Sequence, residues 1–345
     1  MQPFLYSRAA NSSDALKRAA GQPDGPSTSA AVQFLAGGTV LLDLMKLGTM
    51  RPRTLIDLAD LREGHDYIRA DTHGLRLGAL TRMQSVADDP IVNRDYPVIA
   101  QTMQLAASAQ LRNMATLGGN VLQRSRCNYF RHDDWSMCNK RNPGSGCAAL
   151  AGVNRNHAVL GVNERCISAY PGDFAQALVA LDAAVQILGP QGTRTLPFAE
   201  LHRGPEHPEH ETVLRPGELI TEFSVPAGPW TRRSTYVKVR DRESYEFGIA
   251  SAAVALDLQG TEVRTVRIGL GGVAYRPWRA RDAEAVLMGR ELNEASARQA
   301  ARAAFAAAQI HGRNAFKPAL GAATLVRALL QAQAMQLPEG SPERR

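Results

Sequence analysis

The spacing of apolar positions divides the chain into elements separated by clear breaks. The opening run PFLYSRA has strand character and leads into a helix starting near Ser12, Ser13 and Asp14, residue types that cap helix N-termini. GQPDGPSTS interrupts it. VQFLAGG then reads as a strand running into a glycine turn, and VLLDLMKLG as the helix that leaves the turn. TLIDL and LRLGAL are further short runs of strand type. From Thr81 to Ser108 the spacing becomes helical, with Val86, Ile91, Val98, Ile99, Met103 and Leu105 able to share faces.

LGGN, from Leu117 to Asn120, reads as a glycine-rich turn, and the stretch after it has little regular pattern. FAQALVALDA then predicts an apolar helix, AVQILGPQGTRTLPFAEL a strand, turn and strand, and GELITEFSVP another strand. A polar loop rich in His, Glu and Pro, from His202 to Glu211, precedes that last strand. Proline and glycine at 226–229 mark a linker. Beyond it, TYVKVRDRESYEFGIASAAVALDL and VRTVRIGLGGVAYRPW read as long strands, and ASARQAARAAFAAAQI and TLVRALLQAQAMQL as helices. Strands followed by helices predict a separate α+β domain. The expected division is 1–228, 229–335 and a disordered tail at 336–345.

Composition refines this picture. A chain of 345 residues exceeds one average core, and 44% hydrophobic with 21% charged residues is ordinary for a globular protein. No apolar run approaches the roughly 18 residues of a membrane-spanning helix, so no membrane span is expected. The first residues lack the charged start and apolar centre of a secretory signal. The expectation is therefore a cytoplasmic location, or a periplasmic one reached by co-export with a signal-bearing partner. The net charge of +7 is spread along the chain and aromatics are only 6%, which argues against a nucleic-acid groove and for an anionic cofactor or acidic partner.

The chemistry concentrates in the irregular stretch. Its four cysteines are the chain's only ones, spaced Cys127-x10-Cys138-x8-Cys147-x18-Cys166. Two disulfides suit a small secreted domain better than a chain of this length. A structural zinc site ordinarily uses tight C-x2-C pairs, absent here. One [4Fe–4S] cluster needs four thiolates and would use all four. Arg124, Arg126, Lys140 and Arg141 lie close in sequence, and cations stabilise the dianionic cluster. The spacing alone leaves iron and zinc open, and the neighbourhood favours iron.

Ala36-Gly37-Gly38-Thr39, between a strand and a helix, can aim backbone N–H groups at a phosphate. It is not the G-x-G-x-x-G fingerprint of a Rossmann fold. With Thr116-Leu117-Gly118-Gly119-Asn120 it offers two cradles, as a dinucleotide such as FAD requires. His202, His207 and His210, in their polar loop, read as exposed. No Ser/His/Asp set or carboxylate pair stands out, which fits chemistry carried by cofactors.

The runs FLAGGTVLLDLMK, QLRNMATLGGNVLQRSRC, CNKRNPGSGCAALAGVNRNHAVLGV and KVRDRESYEF together resemble the FAD-binding subunits of xanthine dehydrogenase-family molybdenum hydroxylases, from roughly Pro3 to Leu330. The cysteine segment is most similar to the branch of [4Fe–4S]-containing flavin subunits of bacterial periplasmic aldehyde oxidoreductases. The resemblance implies a two-lobed FAD-binding domain of the vanillyl-alcohol-oxidase (PCMH) type, with a [4Fe–4S] insertion at about 121–167. A C-terminal α+β domain of the CO dehydrogenase flavoprotein type would follow.

It further implies that Gln33, Phe34, Leu35, Ala36, Gly37, Gly38, Thr39, Val40 and Leu41 wrap the FAD pyrophosphate, with Thr116, Gly119, Asn120 and Arg126 completing the phosphate and ribose contacts. Asp173 would bind the adenosine half. Leu219 and Lys238 would lie near the isoalloxazine, which the Tyr245 neighbourhood also approaches. Cys127, Cys138, Cys147 and Cys166 would hold the cluster. Val40 departs from the family, which usually has Asn there. The implied assembly is a heterotrimer with a large molybdenum-cofactor subunit and a small [2Fe–2S] subunit, oxidising an aldehyde and passing electrons through FAD to oxygen, a quinone or another acceptor. The alternatives are a hydroxybenzoyl-CoA reductase-like flavin subunit or, from another class, a basic zinc- or cluster-bearing binding module without flavin.

Overall fold

The computed structural model describes residues 1–23, 25, 26 and 28–337. Most of the expected tail, from residue 338 onward, lies outside them.

The first lobe is small. β1 (Leu5–Arg8), β2 (Val32–Leu35) and β3 (Thr54–Asp57) form a parallel sheet in the order β1-β3-β2. The helix Ser12–Ala19 connects the first two strands and buries Ala15 and Ala19. Its cap is Asn11, one residue ahead of the expected group, whose side chain accepts from the Asp14 amide.

The second lobe is built on five strands: β4 (Ile68–Asp71), β5 (Gly74–Gly78), β6 (Ala184–Gly189), β7 (Gly192–Pro197) and β8 (Leu219–Pro226). They lie antiparallel in the order β4-β5-β8-β6-β7. Alternation along β6 buries Val185 and Ile187 against Phe174, Phe198 and Phe223. The helical stretch expected from Thr81 to Ser108 is three short helices, Met83–Asp88, Pro90–Asp95 and Pro97–Gln104. Pro90 and Pro97 each open a new helix, because proline lacks the N–H that continues the preceding one.

The third sheet contains β9 (Ser234–Val239), β10 (Ala250–Gln259), β11 (Glu262–Gly271) and β12 (Trp278–Arg279), in the order β12-β11-β10-β9. One face is covered by the Ala-rich helices Glu294–Ala304 and Lys317–Ala334, which bury Ala297, Ala300, Leu325 and Leu329. The other face joins the second lobe's core through Tyr236, Ala253 and Ala255. No helix among the described residues is long and apolar enough to cross a membrane.

Candidate functional site

A cavity of about 1200 Å³ opens between the first lobe and the loops at one end of the five-stranded sheet. It exceeds the roughly 300–1,000 Å³ of a pocket for a drug-sized molecule, so it suits an extended ligand. Two chain reversals form its floor. β2 runs into Ala36–Thr39, where Gly38 adopts φ +71° and the helix Leu41–Lys46 begins. Against this packs the second turn: a Cβ added to Gly37 would stand 2.1 Å from the carbonyl oxygen of Met114. Only glycine permits that approach. LGGN is not an open turn, because Leu117–Val121 is one helical turn capped by Thr116, whose Oγ1 accepts from the Gly119 amide at 3.3 Å. Thr ahead of a short apolar run is the capping signal that identifies it.

Of the residues expected at the cofactor, Gln33, Phe34, Ala36, Gly37, Gly38, Thr39, Val40, Leu41, Thr116 and Gly119 line this cavity. Leu35, Asn120 and Arg126 are not among the residues that line it. Asn120 keeps a buried Oδ1 without a hydrogen-bond partner, and Arg126 reaches Asp43 at 3.2 Å while stacking on Phe247. Leu219 is in the core beneath the first lobe.

Asp173 and Lys238, expected at different ends of the flavin, face each other instead. The Lys238 ammonium donates to Asp173 at 2.8 Å, and the Tyr236 hydroxyl donates to the other carboxylate oxygen at 2.6 Å. Neither residue reaches the cavity. Asp173 makes no capping bond to the helix it precedes, and Lys238 is not a solvated charge: its side chain is 1% exposed. The pair fastens β9 to the second lobe. Tyr245 is exposed and adopts φ +54°.

The sequence reading missed the opposite wall. Seven Arg or Lys residues against three Glu line the cavity, a balance that suits a diphosphate. His202 is buried there, not exposed; its Nε2–H donates to the Val121 carbonyl at 3.0 Å, and burial lowers its pKa to about 4. His210 lines the cavity, while His207 is exposed as expected. Glu211 accepts from Lys140 at 2.6 Å and pairs with Arg124, and Lys140 also donates to the Tyr275 hydroxyl. Burial alone would lower the Lys140 pKa, yet the Glu211 carboxylate holds it above the ordinary value. Burial would likewise raise the Glu211 carboxyl, but Arg124 and Lys140 together bring it below the usual range.

Arg124, Ser125, Lys140 and Ser168 belong to the cysteine-bearing chain, so one cavity wall is the cysteine segment itself. All four cysteines are free, which excludes the disulfide reading for this structure. They draw together: the Cys147 and Cys166 side chains hydrogen-bond, Cys138 and Cys147 sit on a backbone bridge, and Cys127 is within electrostatic range of Cys138 and Cys166. The backbone N–H groups of Tyr129 and Phe130 point at the Cys127 sulfur, those of Ala149 and Ile167 at Cys147, and that of Ser168 at Cys166. Burial pushes the Cys127 thiol up to about 12, whereas the hydrogen bond from Cys147 holds the Cys166 thiol below its ordinary value. Among the described residues, no three His, Cys, Asp or Glu form a group arranged to hold a metal ion.

Comparison with known proteins agrees with this architecture. Residues 2–228 match the model of the FAD binding domain in molybdopterin dehydrogenase, and residues 235–332 that of the CO dehydrogenase flavoprotein C-terminal domain. The chain is 42% identical to the aldehyde oxidoreductase FAD-binding subunit PaoB of Escherichia coli (strain K12), over 97% of this chain and 99% of that protein. It is 27% identical to the carbon monoxide dehydrogenase medium chain of Afipia carboxidovorans, over 75% and 73% of the two chains. Among solved structures, carbon monoxide dehydrogenase from Hydrogenophaga pseudoflava superposes with a TM-score of 0.74 at 25% identity, covering 96% of this chain and 98% of that one. The α+β fold class expected from the resemblance is thus the one found. This chain belongs to the FAD-binding flavoprotein subunits of the aldehyde oxidoreductase and CO dehydrogenase family of molybdenum hydroxylases.

Proposed function

We propose that the chain is the electron-transfer subunit of an aldehyde oxidoreductase, holding FAD in the 1200 Å³ cavity and a [4Fe–4S] cluster on Cys127, Cys138, Cys147 and Cys166. It would stand between the [2Fe–2S] clusters of a small partner, fed by a large molybdenum-cofactor subunit, and an acceptor such as oxygen or a quinone. The observation that carries this reading is the shared wall: the cysteine segment closes the same cavity whose floor is the pair of abutting glycine turns.

Bound FAD supplies a carrier able to take up electrons and release them to a second partner. The chain's residues do the rest. Amides of the Gly37–Thr39 loop and of the turn after Thr116 suit the pyrophosphate, with the cavity's cations balancing its charge. The buried Lys140–Glu211–Arg124 network fixes the cavity wall next to the thiols.

For the cluster, the support is the donor set. Four free thiols converge, and five backbone N–H groups face three of them, the environment a polyanionic cluster needs.

The purified complex, assayed with aromatic aldehydes and with acyl-CoA substrates, tests the reading. Aldehyde-dependent flavin reduction is expected. Turnover of acyl-CoA alone would move the chain to a hydroxybenzoyl-CoA reductase-like enzyme, and folded protein without flavin would overturn the proposal.

A further inference from the structure

We propose that His157 is a hydrogen-bond donor to the Cys127 sulfur that sets the reduction potential of the cluster; the inference rests on the four-cysteine reading above. Nε2 of His157 lies 3.1 Å from Cys127 Sγ. An imidazole facing a thiolate gains energy only with its N–H toward the sulfur, since the other tautomer sets a lone pair against negative charge. The Asn154 carbonyl also acts on the ring, but His157 Nδ1 is buried and makes no hydrogen bond of ordinary geometry among the described residues. Tyr129 and Phe130 supply backbone N–H groups to the same sulfur, so His157 is the side-chain donor added to them.

The position is built by distant parts of the chain. The His157 amide donates to Asn154 O at 2.9 Å, and the Ala158 amide to Ile167 O, beside Cys166. From the C-terminal region, fully buried Lys317 donates to the carbonyls of Asn156 at 3.0 Å and Gly272 at 2.7 Å, and fully buried Asn314 donates to Ala158 O. These bonds hold the backbone on both sides of His157, so the imidazole has little freedom to leave the sulfur.

One-electron reduction of the cluster adds a negative charge shared by iron and sulfur. An N–H on a ligating sulfur stabilises that more negative form and raises the potential. His157 therefore acts as a positioning residue that makes the cluster easier to reduce.

The test compares wild-type, His157→Phe and His157→Gln holoenzymes. Iron and sulfide are measured first, and each protein is then titrated with dithionite while the reduced cluster is followed by electron paramagnetic resonance. Equal iron content is expected in all three. At a fixed potential, the reduced-to-oxidised ratio in His157→Phe should fall about tenfold, equivalent to 59 mV for one electron. His157→Gln, which keeps an N–H donor, should recover most of that shift. Identical midpoints in the three proteins overturn the proposal, and so does loss of iron from either variant, which would assign His157 to packing. Wild-type protein with flavin but no iron refutes the cluster reading itself, and that result is known before any variant is titrated.

Discussion

The floor of the cavity and its cysteine wall border the same space, yet they are held in place by different kinds of bond. The floor is set by backbone: a strand, a glycine loop and two short helices, with Gly37 pressed against the Met114 carbonyl and Thr116 capping its own turn. The cysteine wall has almost no regular structure, and its one helix, Asn128–Arg131, is a single turn. Side chains hold it instead: Lys140 and Arg124 on Glu211, Arg131 on Asp43 at 2.5 Å, and Asn139 on the Arg165 carbonyl. A backbone-built site tolerates most side-chain changes but no added atoms at its contacts. A site built from buried polar side chains depends on each partner being present.

The sharpest way to break this contrast is Glu211→Gln, which leaves Lys140 and Arg124 buried without their anion. Breaking a buried pair typically costs about 3–5 kcal/mol. Chemical denaturation should show a loss of that size, together with loss of FAD on gel filtration. A change under about 1 kcal/mol, the range of exposed pairs, would mean the network is effectively solvated.

Next in size is the pH response of His202. Its pKa is lowered to about 4 in the folded protein and returns to 6.5 on unfolding. Between those values the unfolded chain binds the extra proton, so stability is full above pH 6.5 and is lost as pH falls toward 4. The loss amounts to about 3 kcal/mol at 1.36 kcal/mol per unit. Unfolding curves for wild type and His202→Gln should diverge across that window, and parallel curves would remove His202 from the account.

On the floor, Gly37→Ala forces a Cβ against backbone that cannot swing aside. Overpacking of this kind costs about 1–3 kcal/mol, and FAD content should fall with it. Unchanged flavin and stability would show that the two turns are free to separate. The smallest effect expected is a gain. Val40 precedes the helix Leu41–Lys46 and makes no side-chain cap. Val40→Asn should add about 1 kcal/mol of stability in thermal melts.

The same contrast explains what could be read from the sequence. β2, its glycine turn and the following helix were legible because strand pattern, Gly-Gly and helical spacing are local signals. The Ala-rich C-terminal helices were legible for the same reason. Pro90 and Pro97 were visible too, and weighting them over apolar spacing would have divided the long helix correctly. The cysteines were found by chemistry, not pattern. What stayed hidden was non-local: a polar loop looks solvated until Glu211 meets Lys140, 71 positions away, and nothing local to Asp173 points to Lys238, which arrives from β9. Pairing between distant charges leaves no periodicity in the chain.

The central claim is that one chain carries both a flavin and a four-iron cluster against a common wall. The most direct measurement is a visible spectrum of the purified chain with flavin, iron and acid-labile sulfide quantified together. The account predicts one FAD with about four irons and four sulfides per chain. FAD without iron would keep the cavity and contradict the cluster. Folded protein that never held either cofactor would contradict the account as a whole.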